Sequence, residues 1–339
     1  MKTKIVYVDN FLTQYGHTPT IGASISSLLL KEGYEVVATS TKQAKLPRLL
    51  DMLGTIFRNR KNAIVLISTY STEAFYFALI CSQFCSLLNI KYVPFLHGGN
   101  LPERINSSKK MSQLLFGKSY MNVAVSGYLE AVMIKNKWPV TVIPNPIHIE
   151  QYPFLQRLKC TPKILWVRSF HEIYNPTLAV KILCDLLKVE PDAFLTMVGP
   201  DKDGSLEICK QLATELNVLH RIEFAGLLSR DQWIKLSSSH DIFINTTNFD
   251  NLPVSIIEAM ALGLPIISTN VGGIKFLIED TVNGLLVNPN NMQEFVNAIK
   301  TLIANNLLVT NLSAHARTFA EKYDWSCVKQ QWNALLQDA

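Results

Sequence analysis

The chain has 339 residues, of which 48% are apolar and 17% charged, and carries a net charge of +5. That composition excludes a disordered chain, and the length suffices for two α/β domains with buried cores. The cysteines at 81, 85, 160, 184, 209 and 327 fit neither zinc-site spacing nor a disulfide framework, and read as reduced core thiols of a cytoplasmic protein. Met1-Lys2-Thr3-Lys4 leads directly into an apolar strand, so no secretory signal is expected.

The net charge hides an asymmetry. Residues 1–150 hold 16 Lys and Arg against 8 Asp and Glu, whereas residues 151–339 hold 16 against 19. A basic first half beside a mildly acidic second half implies different partners for the two. Lys42, Lys45, Arg48, Arg58, Arg60 and Lys61 straddle the apolar stretch Leu49 to Leu53. That pattern reads either as an amphipathic face resting on anionic lipid or as an ordinary solvated helix.

In chain order, Ile5–Val8 reads as a first strand and Ile21–Glu32 as the helix after it. Glu35–Ala38 and Ala63–Ile67 are the next strands. Ala74–Ile90 superficially resembles a membrane span, but Ser82, Gln83, Ser86 and Asn89 interrupt it, and a buried crossover helix is expected. Strands follow at Tyr92–Leu96, Val123–Val125 and Val140–Ile143, with helical spacing over Leu129–Lys135. A proline-rich stretch from Pro144 through Pro162 then reads as a hinge. The alternation restarts at Lys163–Val167 and continues through Ala193–Val198, Ile222–Phe224, Ile242–Ile244 and Pro265–Ser268. Such alternation predicts parallel sheets covered by helices, one in each half.

Asp241–Asn245 reads as a strand, Thr246–Leu252 as a loop, and Pro253–Leu262 as a helix closed by Gly263. Proline suits a first helical turn, where its missing N–H leaves nothing unsatisfied. The free N–H groups of Val254 and Ser255 would then be available to phosphate oxygens. Asp250 and Glu258 are too far apart to share one helical face, so they would bracket a ligand.

The run Asp250-Asn251-Leu252-Pro253-Val254-Ser255-Ile256-Ile257-Glu258, followed by Gly263-Leu264-Pro265, Val271-Gly272-Gly273 and Asn283-Gly284, resembles the acidic-x7-Glu signature of retaining glycosyltransferase family four. The likeness is to members of the bacterial surface-polysaccharide type. It implies a GT-B architecture, two Rossmann-like doubly wound α/β domains facing across a cleft. The expected division is an acceptor-binding domain over residues 1–150 and a nucleotide-sugar domain over 151–315. A final helix in 316–339 would cross back to the first domain.

The resemblance also implies roles for single residues. Glu258 would hold ribose hydroxyls, and Asp250 with Asn251 and Leu252 would lie against the transferred sugar. Asp in place of the family's usual Glu shortens the side chain by one methylene. Arg168, after Ile164–Val167, would face the leaving diphosphate with Val254 and Ser255, because a guanidinium forms bidentate charge-assisted bonds. The lysine that the family places five or six residues later is replaced by Ile173 or Tyr174. Lys202 is a candidate substitute. His97, before Gly98-Gly99, would approach the reacting carbon of the donor sugar, and Gly16 resembles the family's first glycine loop.

The implied reaction is transfer of a hexose or N-acetylhexosamine, with retention, to a saccharide or lipid-linked saccharide acceptor. The donor would be a nucleoside diphosphate sugar, first a UDP-sugar and alternatively a GDP-sugar. No other cofactor, no metal and no nucleic acid are expected. Peripheral contact with an anionic membrane at its inner face is the remaining partner expectation. Asp201-Lys202-Asp203 has the form of a metal-holding motif of a different transferase fold, but its surroundings do not suit that role. A non-catalytic sugar-nucleotide binder, or an epimerase or phosphorylase relative, stays as the alternative.

Overall fold

The computed structural model describes residues 3–15 and 20–337. Contacts divide the chain into two units, residues 1–145 with 328–339 and residues 146–327.

The first unit holds β1 (Lys4–Val8), α1 (Ile21–Lys31), β2 (Val36–Thr39), α2 (Lys45–Arg58), β3 (Ala63–Thr69), α3 (Ala74–Leu87) and β4 (Tyr92–Leu96). It continues with α4 (Leu101–Ser107), α5 (Lys109–Phe116), β5 (Asn122–Ala124), α6 (Gly127–Lys135) and β6 (Val140–Val142). The strands form one parallel sheet in the order β2-β1-β3-β4-β5-β6. The apolar runs of β1, β3, β4 and β5 are buried nearly throughout, as strands covered on both faces require, whereas the edge strands β2 and β6 are partly exposed. The connection β1 to β2 runs one way and the connections onward to β3 and β4 run the other. Right-handed crossovers therefore place α1 on one face and α2 with α3 on the opposite one. One expectation needs correction here. Ala74–Leu87 is a crossover helix, but it is not buried all round: Phe75, Ala78, Cys81 and Cys85 face the core while Tyr76, Ile80 and Leu87 are exposed.

The second unit holds β7 (Lys163–Val167), α7 (Pro176–Leu186), β8 (Phe194–Val198), α8 (Ser205–Glu215), β9 (Ile222–Gly226), α9 (Arg230–Ser237) and β10 (Ile242–Asn245). After these come α10 (Val254–Ala261), β11 (Ile266–Thr269), β12 (Leu285–Val287), α11 (Met292–Ala304) and α12 (Asn306–Glu321). Its parallel sheet has the order β12-β11-β10-β7-β8-β9. The chain thus moves outward from β7 in one direction, then returns to β7's other side with β10. The pair β7 and β10 is the topological switch point, outside whose carboxyl ends doubly wound sheets bind ligands.

The last helix, α13 (Trp325–Gln337), begins in the second unit and ends in the first. In the first unit it is held by Tyr34 Oη donating to Asn333 Oδ1 at 2.8 Å and by the Lys329–Glu32 pair at 3.4 Å. The buried Trp332 ring meets Phe95 edge-on at 5.3 Å. All six cysteines are free thiols. Cys81, Cys85, Cys160 and Cys209 are buried, Cys184 is partly so and Cys327 is exposed.

Candidate functional site

The site grows from the two loops that leave the switch point, one after β7 and one after β10. They are clamped to each other. Trp166 Nε1 donates to Thr246 Oγ1 at 3.0 Å, and that hydroxyl lies 2.9 Å from the carbonyls of both Tyr174 and Asn175. Asn248 N–H donates to the Ile173 carbonyl at 2.8 Å. These buried bonds fix where Arg168 starts and where Asp250 ends.

The motif's glycine pair has a steric reason. A Cβ at Gly273 would lie 1.8 Å from the carbonyl oxygen of Asn251, and one at Gly272 would lie 2.1 Å from that of Asp250. Gly273 N–H donates to the Asp250 carbonyl at 2.8 Å. The loop bearing Asp250 therefore leans directly on the backbone after β11, and any side chain there would push it away.

Pro253 precedes α10 as its N-cap residue in an extended conformation rather than occupying the first turn. The helix ends at Ala261, and Gly263 follows at φ 79°, where glycine is favoured. Val254 and Ser255 open the helix, and their N–H groups have no intrahelical acceptors. Ser255 Oγ is buried and without a partner among the described residues.

These elements enclose a cavity of about 350 Å³, lined among others by Arg168, Tyr174, Arg230, Val254, Ser255 and Glu258. The Arg168 guanidinium pairs with Asp250 Oδ2 and stacks at 4.3 Å over the Tyr174 ring. Asp250 Oδ1 accepts from the Asn251 N–H at 2.8 Å. Burial pushes the Asp250 carboxyl above its ordinary range, opposed by Arg168 and by that N–H. Glu258 is likewise pushed up by burial, opposed by the Tyr152 hydroxyl and by Arg230 and Arg168. Tyr152 Oη donates to Glu258 Oε1 at 2.5 Å, and Arg230 Nε stands 3.9 Å from the same oxygen. Burial and this carboxylate drive the Tyr152 phenol well up, so it remains a donor.

The structure therefore brings Arg168, Val254, Ser255 and Glu258 together on one cavity, and Asp250 joins them through Arg168. Asn251 and Leu252 do not line it. Asn251 is buried in the loop and Leu252 packs on the hydrophobic core of this unit. Lys202 does not line the cavity either, and the second cation that does, beside Arg168, is Arg230. Asp201 and Asp203 accept backbone N–H groups of Gly204 and Ser205 at 3.0 and 3.1 Å, organising the start of α8. No group of three or more metal-ligating side chains occurs among the described residues.

His97 lies in the first unit, just after β4. Its ring stacks on Tyr70 at 5.0 Å and meets Phe95 edge-on at 4.3 Å. Burial pushes its pKa down to about 3, so the imidazole is neutral. Its Nε2 has no partner among the described residues. Gly16 falls outside the described residues. Sequence reasoning missed Tyr152 as a neighbour of Glu258. Tyr152 lies in the hinge-like proline-rich stretch, and its contact spans 106 residues and leaves no local pattern.

Residues 152–319, wholly inside the second unit, match the family model described as Glycosyl transferases group 1. An uncharacterized glycosyltransferase of Haemophilus influenzae is 32% identical over 158 residues, 46% of this chain and 44% of that protein. An Escherichia coli protein named UDP-Gal:alpha-D-GlcNAc-diphosphoundecaprenol alpha-1,3-galactosyltransferase is 24% identical over 175 residues, 47% of this chain and 44% of its own length. The chain thus spans less than half the length of these curated relatives. The crystal structure of Anabaena HepE in complex with UDP and glucose superposes with a TM-score of 0.76 at 18% identity, covering 99% of this chain and 100% of that one. The fold is that of the GT-B glycosyltransferases, and residues 152–319 are similar to glycosyl transferases group 1.

Proposed function

We propose that the protein is a retaining glycosyltransferase that moves a hexose or N-acetylhexosamine from a UDP-sugar to a saccharide or lipid-linked saccharide at the inner face of a membrane. The observation that carries the reading is the cavity at the switch point, with a guanidinium and a helix N-terminus at one side and the Tyr152-braced Glu258 carboxylate at the other. A nucleoside diphosphate has matching chemistry: anionic oxygens for Arg168 and the N–H groups of Val254 and Ser255, and ribose hydroxyls for Glu258. The HepE complex with UDP and the undecaprenol-linked acceptor in the name of the E. coli relative support the donor and acceptor classes.

In this reading Arg168 and the start of α10 stabilise charge developing on the departing diphosphate. When the diphosphate takes the guanidinium, Asp250 is released to meet sugar hydroxyls. The role proposed for His97, whose imidazole is neutral within the first unit, is a single hydrogen bond to the donor sugar that brings no charge to its reacting carbon. No side chain is assigned as a nucleophile. The diphosphate itself assists attack on the same face, which retains configuration.

The test is a panel of UDP- and GDP-sugars, scored by protection against thermal unfolding and by release of nucleotide with and without a lipid-linked acceptor. Protection by one UDP-sugar, lost in Glu258→Ala, together with an axial product linkage, is the expected result. Binding without turnover toward any acceptor would sink the catalytic reading, and an inverted product would sink retention.

A further inference from the structure

A guanidinium has two chemically distinct sides. Its edge carries the N–H groups that bond carboxylate or phosphate oxygens, and its face is a delocalised cation that settles on an aromatic ring. Arg168 uses both. Along the edge it pairs with Asp250 Oδ2, while its Nε is buried and has no partner among the described residues. Across the face lies the Tyr174 ring, its centroid 4.3 Å from the guanidinium carbon.

These two contacts respond differently to an anionic ligand. A diphosphate competes with Asp250, because both offer oxygens in the plane of the guanidinium. It does not compete with Tyr174, whose contact is perpendicular to that plane. With Asp250 displaced, the ring is the side-chain restraint that stays on a long residue with several rotatable bonds.

The ring is itself held in place. Glu172–Tyr174 is a tight helical turn in which the Tyr174 N–H donates to the His171 carbonyl at 2.9 Å. Asn175 follows at φ 49°, a left-handed bend that turns the chain into α7. Thr246 Oγ1 lies 2.9 Å from the Tyr174 carbonyl, so the loop after β10 fixes the backbone from the other side. The half-buried ring packs on the core around α7 and meets His171 edge-on at 6.1 Å. Of Ile173 and Tyr174, which occupy the positions expected of a lysine, only Tyr174 lines the cavity. A lysine there would repel the Arg168 guanidinium, whereas an aromatic ring attracts it and leaves its edge free.

We propose that Tyr174 is a positioning residue of the donor site. Its ring seats the Arg168 guanidinium face-on, so that the edge stays aimed at a nucleoside diphosphate once Asp250 has let go. The role rests on the donor reading proposed above and adds to it a residue that acts through the cation and not on the ligand.

Calorimetric titration of the full chain with UDP tests it. Tyr174→Leu should weaken UDP binding by about tenfold, within what a partly desolvated cation–π contact supplies. Tyr174→Phe keeps the ring and should restore affinity to within about twofold of the wild type. In Arg168→Ala, where Glu258 and the N–H groups of α10 still face the nucleotide, Tyr174→Leu should cost less than about twofold, because its effect passes through the guanidinium. A ring that merely packed the loop would weaken both backgrounds alike. Circular dichroism verifies that each variant is folded, and Tyr174→Met replaces the leucine variant if that one is not. Three results would overturn the proposal and leave the donor reading in place: equal losses in the two backgrounds, Tyr174→Phe as weak as Tyr174→Leu, or UDP binding indifferent to Tyr174→Leu. A wild type that binds neither UDP nor GDP would overturn the donor reading and the proposal with it.

Discussion

The two units share a layered plan yet use the carboxyl ends of their strands differently. In the second unit, the loops after β7 and β10 are tied by buried hydrogen bonds, and its two buried acids each have a partner, Arg168 for Asp250 and Tyr152 for Glu258. In the first, the corresponding ends carry Tyr7, Asp9, Ser68 and His97, each with a buried polar atom unpartnered among the described residues. Net charge runs the other way: the first 150 residues are basic and the remainder, which holds the anion site, mildly acidic. One plan thus yields a pre-braced anion site in one unit and a set of buried, unpartnered polar groups in the other. The strand order explains part of this, because the second sheet has its switch point between β7 and β10, where both braced loops begin.

The contrast can be broken experimentally, most strongly at Arg168. Arg168→Ala should lower turnover by about a thousandfold, about 4 kcal/mol of transition-state stabilisation, while the fold survives. It should also drive the Asp250 pKa further up, since burial then acts without the opposing guanidinium. Steady-state kinetics and the pH profile of nucleotide binding measure both. Next comes Gly273→Ala, whose Cβ has nowhere to go beside the Asn251 carbonyl. A loss of about 3 kcal/mol in urea unfolding is expected, with UDP binding falling alongside. A stability unchanged within error would show that the loop is not braced as described.

His97 sharpens the first unit's side of the comparison. Its folded pKa of about 3 lies below the ordinary 6.5, so the unfolded chain takes up the proton first as pH falls. Stability is therefore full above pH 6.5 and is lost between there and pH 3. At pH 5 the loss from this residue is about 2 kcal/mol. Urea unfolding at pH 7 and pH 5 should show that difference, and His97→Asn should remove it. The smallest effect is expected from Tyr152→Phe, which deletes one hydrogen bond to Glu258. A rise in donor KM of about tenfold, about 1.4 kcal/mol, with kcat nearly unchanged, would match a residue that only positions the ribose carboxylate. A fall in kcat instead would place Tyr152 closer to the chemistry.

Much of this was legible in the chain itself. Parallel sheets betray themselves by continuous apolar runs, and the apolar runs from Ile5 to Ile267 coincide with the strands to within one or two residues at their ends. Asp250 to Gly273 announces a loop, a helix and a tight return, because proline and glycine punctuate backbone geometry wherever they occur. The amphipathic pattern of α2 was equally plain. The exposed side of α3 was not, since α3 carries apolar residues on every side and local sequence says nothing about which of them a neighbour covers.

The sequence by itself determined the alternation of strands and helices, the glycosyltransferase-like run around Glu258, and which charged groups each half contributes. Tertiary structure alone decided that Arg168 meets Asp250 across 82 residues, that Tyr152 braces Glu258, that Arg230 and not Lys202 lines the cavity, and that α3 leaves Tyr76, Ile80 and Leu87 uncovered. The reason is physical. Periodicity and turn chemistry act over a few residues and are written locally, whereas the partner of a buried charge is set by strand order and loop packing, which join residues far apart in the chain.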